Sequence, residues 1–470
     1  MKRVAWTKFQ DFYLRPGFLK ALSVALSAER RSVANEAIIQ RLRSPLFDIA
    51  ANHPGLWTNV AHLMPEPKSG RKATPSRKQE GPTVAEALLL DGDCPSVLFA
   101  ITGPTAYKIL DWGRDVELIG RGNQITERGL ILRYLLDERA TSAFVSGDVM
   151  AWNPFVLTLK EKLFFLYHLA EIDGVIVELL CQLGELDLAP GTVLESSDAA
   201  RMTCTALLRV LRGMQGKVPP SEVLRFRTAC ALAATIADEL DMADEAVDLV
   251  GAARRKMPKI IKPRARRAAA VGGHARPRKT TKNADHQTIP RFEQLVDLGF
   301  LMKPVPDGSE ADKFGARKRW QYIPTEICRR WASAVRGKRH EGAPFLWHSF
   351  ATACISAYQI SSTAEPEPTR NKLIANYIWK AYEHIHRRVG ANPLDSVALF
   401  ATLSAASDGV AIEMSEIHRF MLFIKQHGLL PGHVFFSSGN DLDQMFIQLK
   451  PGFVGQVASS ESPFTQAGIQ

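Results

Sequence analysis

Apolar positions near the start of the chain recur with a helical period: Phe9, Phe12, Leu14, Phe18, Leu19, Leu22 and Leu26 fall on one side of a 3.6-residue turn. The spacing predicts amphipathic helices over residues 1–60, interrupted near Pro16-Gly17, with these side chains as core. A stronger helical pattern runs from Asn153 to Val250. Thr158 and Glu161 have the spacing of a capping box ahead of Lys162–Ala170. Asp173 restarts a helix that reaches Leu183, Ser196 or Ser197 opens Asp198–Met214, and Ser221, after Pro219-Pro220, opens Glu222–Leu240. These helices are expected to bundle.

A second pattern, a helix stopped by glycine and followed by two short extended runs, occurs three times. The first copy is Thr105–Gly113, then Val116–Ile119, the turn Gly120–Asn123 and Gln124–Gly129, with Thr126 capping a further helix to Leu136. The second is Arg291–Gly299, then Phe300–Lys303 and Arg319–Ile323, leading through Pro324-Thr325 into another helix. The third is Glu416–Gly428, then His433–Phe436, the turn Ser438–Asp441 and Met445–Leu449. Glycine suits each stop because the left-handed conformation there carries no Cβ penalty. In the third copy Pro393–Ala406 reads as a first helix, Val410–Glu413 as a short strand and Ser415–Gly428 as the third helix. A helix, a glycine stop and a hairpin, repeated in this way, resemble the winged helix-turn-helix superfamily. The resemblance implies a third helix suited to a nucleic-acid groove and a hairpin wing beside the backbone.

Length and composition agree with an assembly of such units. At 470 residues, 46% hydrophobic and 23% charged, with a mean hydropathy of −0.09, the chain is expected to fold as about three domains. The expected fold class is mainly α with small β-hairpins, multiple winged-helix units being joined by a helical bundle. Boundaries fall at 1–64 (helical segment), 65–82 (linker), 83–150 (first winged-helix-like unit), 151–253 (bundle) and 254–285 (basic arm). The unit with a basic wing follows at 286–340, then a helical segment at 341–392, the C-terminal unit at 393–452 and a tail at 453–470. Ser361–Pro368 reads as a long loop. Apolar runs such as Leu163–Leu169 and Gly174–Leu183 end well short of the ~20 residues that cross a bilayer. Met1–Lys8 carries charge without the apolar block of a secretory leader. Six cysteines lack any C-x-x-C spacing and read as buried thiols in a reducing compartment. The expected location is the cytoplasm, at the nucleoid in a bacterium, with no membrane partner.

The net charge of +10 is concentrated in one region. Residues 254–339 hold 23 basic and 7 acidic residues, whereas 1–253 and 340–470 are each mildly acidic. Within it lie twelve cations and no carboxylate: Arg254, Arg255, Lys256, Lys259, Lys262, Arg264, Arg266, Arg267, Arg276, Arg278, Lys279 and Lys282. Pro258, Pro263, Pro277 and Gly272-Gly273 interrupt them, so the stretch reads as a mobile arm or linker. Each cation brought to a phosphate releases condensed counterions, which makes nucleic acid the favoured partner. An inert solvated linker and an acidic protein or membrane surface are the alternatives. Arg291 on the following helix and Lys313, Arg317, Lys318 and Arg319 on the second wing complete the expected phosphate-binding set. Trp320 and Tyr322 beside them, alternating with Gln321, read as wing residues that pack on a core, with stacking on nucleic acid as the other reading. The acidic run Asp238, Glu239, Asp241, Asp244, Glu245 and Asp248 is read as a solvated helix end; an intramolecular clasp on the basic arm is the other reading.

Catalytic signatures are sparse. Gly337-Lys338 lacks the rest of a phosphate loop, and no G-x-S-x-G elbow occurs. Glu383, His384 and His386 fit a surface helix better than a metal site, Asp91-Gly92-Asp93 fits a turn, and His340 and His348 are packing or capping groups. The expectation is therefore non-enzymatic nucleic-acid binding, double-stranded DNA being favoured, without metal or cofactor. The C-terminal unit, whose hairpin tip carries Asp441 and Asp443, is expected to contact a protein partner or a second copy. A protein-interaction scaffold and a nuclease with a dispersed site are the alternatives.

Overall fold

The computed structural model describes residues 16–26, 32–42, 103–136, 142, 156–186, 191–249, 282–302, 321–335, 343–367, 369–385, 391–437 and 445–459. Linker 65–82, Asp91 and Asp93, His340, His386, Trp320 and the turn Ser438–Asp441 lie outside these residues. The described chain is mostly helical, with small antiparallel sheets of two and three strands. Its buried apolar side chains form one continuous cluster from Phe18 to Val457.

Helix α1 (Pro16–Ala25) begins at the Pro-Gly pair expected to interrupt it. All ten of its residues are buried, Lys20 included. After a helical stretch at 35–42 come α2 (Gly103–Asp115) and α3 (Glu127–Leu135). The first expected hairpin is reduced to one bridge, Ile119 to Ile125, around a single turn at Arg121–Asn123. Gly113 does not stop its helix, which runs on to Asp115 before Glu117 turns left-handed at φ 59°. The glycine is needed for close approach instead, since a Cβ there would lie 2.6 Å from Leu22 and 2.8 Å from Ile119. Thr126 caps α3 as expected, accepting from the Gly129 N–H.

The capping box forms as well: Thr158 and Glu161 exchange hydrogen bonds at the start of α4 (Leu159–Ile172). Asp173 caps α5 (Gly174–Glu185) through the Val175 N–H. Glu195, rather than either serine, precedes α6 (Ser196–Met214), and its side chain makes no capping bond. A turn at Pro220–Glu222 leads into α7 (Val223–Glu239). Then follow α8 (Lys282–Asp297), β1 (Leu301–Met302), β2 (Ile323–Pro324), α9 (Glu326–Val335), α10 (Ala343–His348) and α11 (Phe350–Tyr358). Residues 361–367 are without helix or strand, as expected of a loop. The C-terminal part contains α12 (Arg370–Ile385), β3 (Asn392–Pro393), α13 (Leu394–Ser407), α14 (Met414–Gln426), β4 (Val434–Phe436), β5 (Phe446–Leu449) and α15 (Phe453–Ser459). The expected tail thus begins with a helix, which packs on α12.

Two parts of the chain repeat one order of elements. In the C-terminal part, helix α12 is followed by β3, helices α13 and α14, hairpin β4–β5 and closing helix α15, with strands ordered β3-β5-β4. Residues 174–335 follow the same plan. Leu194 after α5 pairs with Tyr322, just ahead of β2, and β2 in turn pairs with β1. The registers correspond: Tyr322 takes the place of Ile447, and Met302 that of Phe435. Closing helix α9 lies along α5 as α15 lies along α12. Helix α7 and the basic stretch after it are inserted between the second and third helices of the earlier copy. The strand expected at Val410–Glu413 makes no ladder, and the first strand of the C-terminal copy precedes α13.

Helix α5 meets α9 through Gly184, where a Cβ would stand 1.8 Å from that of Ala332 and 3.4 Å from the Cys328 carbonyl oxygen. Gly184→Ala must push the two helices apart, and overpacking of this kind costs about 1–3 kcal/mol. Urea unfolding of the variant is expected to show that loss, whereas Gly213→Ala, with nothing within 4 Å, should be neutral or stabilising.

Candidate nucleic-acid interface

Helix α8 is the element to which both basic segments attach. The chain is described up to Leu249 and again from Lys282, and the turn Ala243–Ala246 and α8 both pack on α7. Glu239 at the end of α7 caps the start of α8: the Asn283 and Ala284 N–H groups donate to its carboxylate at 3.1 and 3.0 Å, and the Asn283 side-chain amide at 2.6 Å. A carboxylate there answers the unpaired N–H groups and positive dipole end of the helix. One of the acidic residues read as solvated therefore pins the root of the basic stretch. Asp248, on the other side, pairs with Arg212 at 2.9 Å. The described residues on either side of 250–281, a stretch with eleven cations and no carboxylate, thus both lie beside α7.

The far end of α8 is latched as firmly. The Phe300 N–H reaches back to the Leu295 carbonyl and the Gly299 N–H to that of Val296, while Gly299 sits at φ 86°, so this expected glycine stop is present. The Thr325 hydroxyl donates to the Gly299 carbonyl at 2.7 Å, and Tyr358 Oη–H to that of Leu298 at 2.8 Å. From here β1 and β2 lead into and out of residues 303–320, which hold five basic and three acidic residues. Sixteen residues of helix set the two roots about 24 Å apart.

The body of α8 is not a surface. Every residue from Gln287 to Leu295 is buried. Arg291, expected to meet phosphate, is fully enclosed; its Nε donates to Asp173 Oδ2 at 2.7 Å and its Nη1 to the Gln287 carbonyl at 2.9 Å. This corrects its assignment: the guanidinium neutralises a carboxylate 118 residues away and is not offered to solvent. Asp173 consequently serves both α5, as its cap, and α8, as its counter-ion. Tyr322, expected to pack, does so: its ring lies 4.9 Å from Phe292 and its hydroxyl donates to Glu293 at 3.0 Å. Lys282 is the first residue of the helix; the other arm cations, from Arg254 to Lys279, and Lys313, Arg317, Lys318 and Arg319 lie outside the described residues.

Elsewhere the cations are mostly engaged. In the first expected unit, Arg114 is held by Asp111, Asn35 and Asn123. On α14, Glu416 binds Arg370, and Glu413 ahead of that helix accepts from the Ala351 and Thr352 N–H groups. Arg419 and Gln426 are exposed. Gly428 closes this helix at φ 57°, with the same pair of return hydrogen bonds as in α8.

Sequence reasoning missed two buried titratable groups. Lys20 Nζ donates to Glu161 at 2.9 Å and to the Val156 carbonyl at 3.0 Å; burial pulls its pKa down, against the opposing charge of Glu161. His168 is enclosed, stacked on Phe164, and its Nε2 lies 2.5 Å from the Val116 carbonyl oxygen; burial first, then nearby Arg128, lower its pKa to about 3. Neither has a local sequence signal, because the partners are distant in the chain. His384 packs on Tyr134 and Phe400 and contributes to no metal cluster. Among the described residues no group of three or more His, Cys, Asp or Glu side chains could hold a metal ion, and no helix is long and apolar enough to cross a membrane.

Searches of family models, of curated proteins and of solved structures return no match to this chain.

Proposed function

We propose that the chain binds nucleic acid without catalysis, duplex DNA being the favoured form, and that its two topological repeats are winged-helix units. The element order, with the first strand beside the last and a hairpin after the third helix, supports that reading of the repeats. The observation that carries the function is the placement of charge. Two stretches rich in cations spring from opposite ends of one helix, and that helix is locked at both ends and buried between them. On this reading α8 acts as a spacer, and phosphate contact falls to the cations of residues 254–279 and 313–319. Such contacts supply sequence-independent affinity through counterion release.

Binding of a generic duplex, followed against salt concentration, tests this. If six to ten of the cations engage, the affinity is expected to fall by roughly 10³ to 10⁵ between about 50 and 200 mM salt. Deleting 254–282 should reduce the slope of log affinity against log salt by more than half. Absence of binding at low salt would remove the proposal, and magnesium-dependent cleavage of the duplex would replace it with a nuclease.

A scaffold reading has one observation in its favour. The third helix of the earlier repeat is buried from Gln287 to Leu295, and that of the later repeat offers Arg419 as its only exposed cation among the described residues. Under it the full chain would show no salt-dependent duplex binding.

A further inference from the structure

The C-terminal hairpin turns two aromatic rings outward. In strand β4 the burial alternates so that Val434 points inward and Phe435 outward; in β5, Ile447 and Leu449 point inward and Phe446 outward. Phe435 and Phe446 are 46% and 43% exposed. Phe435 stands opposite Gln448, which places Phe446 diagonally across the ladder on the same face, about 7–8 Å away. The same alternation puts His433 and Ser437 of the first strand and Lys450 of the second on this side. The Lys450 N–H donates to the His433 carbonyl at 2.9 Å, so the pairing continues to that end. Among the described residues this face carries two aromatic rings, a lysine, a histidine, an amide and a hydroxyl, and no carboxylate.

We propose that this face binds unpaired nucleotides of DNA or RNA, Phe435 and Phe446 each stacking one base and Lys450 lying beside them for phosphate. The proposal rests on the reading of the chain as a nucleic-acid binder and names a second form of that ligand. Exposed rings on a small sheet have low conformational cost and every base presents a π-face, so stacking tolerates any sequence. A duplex hides those faces within its own stack, which restricts the platform to splayed single strands. The diagonal spacing leaves room for two neighbouring bases to unstack and lie one on each ring. On the described face the rings are flanked by groups that suit phosphate and sugar, whereas Asp441 and Asp443, between the two strands in the sequence, favour a protein partner instead, and the test below separates the two. The equivalent register position in the earlier repeat is Met302, 51% exposed, which is apolar but cannot stack a base in the same way. Among the described residues the platform therefore belongs to the later repeat.

The test uses the full chain with a short oligothymidylate and a duplex of matched length as separate probes. Phe435→Ala and Phe446→Ala are each expected to weaken oligothymidylate binding about 5- to 150-fold. Duplex binding and its salt slope should stay unchanged, since neither ring is proposed to touch a duplex. Phe435→Trp should retain single-strand binding and Phe435→Leu should lose it, which separates stacking from general apolar contact. Unchanged single-strand affinity in the double alanine variant overturns the platform. So does a shift in its sedimentation without loss of single-strand affinity, which would make the face an interface between copies. Wild-type chain that binds the duplex but not the oligothymidylate also overturns it and leaves the function above intact. Binding of oligothymidylate through the two rings, with no duplex binding, would do the reverse.

Discussion

Replacing Arg291 by alanine is expected to cost the fold about 3–5 kcal/mol, because it leaves the Asp173 carboxylate buried without its cation. The loss should appear as a lower urea midpoint with little change in slope. The duplex salt slope of the folded variant should equal that of the wild type, since this guanidinium never reaches solvent. A flatter slope would mean that Arg291 does meet phosphate and that α8 opens to expose it. Asp173→Asn is the companion substitution. It keeps an acceptor for the Val175 N–H but removes the charge, so its cost should stem mainly from the unpaired guanidinium.

Acid should unfold the protein through His168. Its pKa is about 3 in the fold and near 6.5 in the unfolded chain. Below pH 6.5 the unfolded chain takes up a proton that the native ring refuses, so stability is full above that pH and drains away as pH falls towards 3. The slope is about 1.4 kcal/mol per pH unit, which gives roughly 2 kcal/mol between pH 7 and 5. His168→Phe keeps the ring packing on Phe164 and leaves the Val116 carbonyl without its donor, a penalty of about 1–3 kcal/mol that does not depend on pH. The gap between wild type and variant at pH 7 should therefore shrink by about 2 kcal/mol at pH 5. Chemical denaturation at the two pH values measures it, and a constant gap would show that the imidazole is charged inside the fold.

The features legible in the sequence were those settled within a few residues. The Thr158–Glu161 box, the Asp173 and Thr126 caps, and the stops at Gly299 and Gly428 all depend on local hydrogen bonds, and each is present. What escaped depends on partners far along the chain. Leu194 makes a single bridge to a residue 128 positions later, and Asn392-Pro393 is too short to read as a strand. The order of elements common to the two parts therefore begins before the glycine-stopped helix in each, and residues 250–281 fall between the second and third helices of the earlier part. Gly113 looked like a helix stop because glycine suits both a left-handed turn and a tight approach, and only Leu22, 91 residues away, distinguishes the two. Arg291 looked like a surface cation because its anion lies beyond any local pattern.

The common anchorage of the basic stretch on α7 has a topological corollary. A backbone cut between 250 and 281 leaves two fragments, and the described residues nearest the cut, Ala243–Ala246 in one and Asn283-Ala284 in the other, both pack on α7. The two pieces still share one buried interior, so the severed protein should migrate as a single species until denaturant parts it.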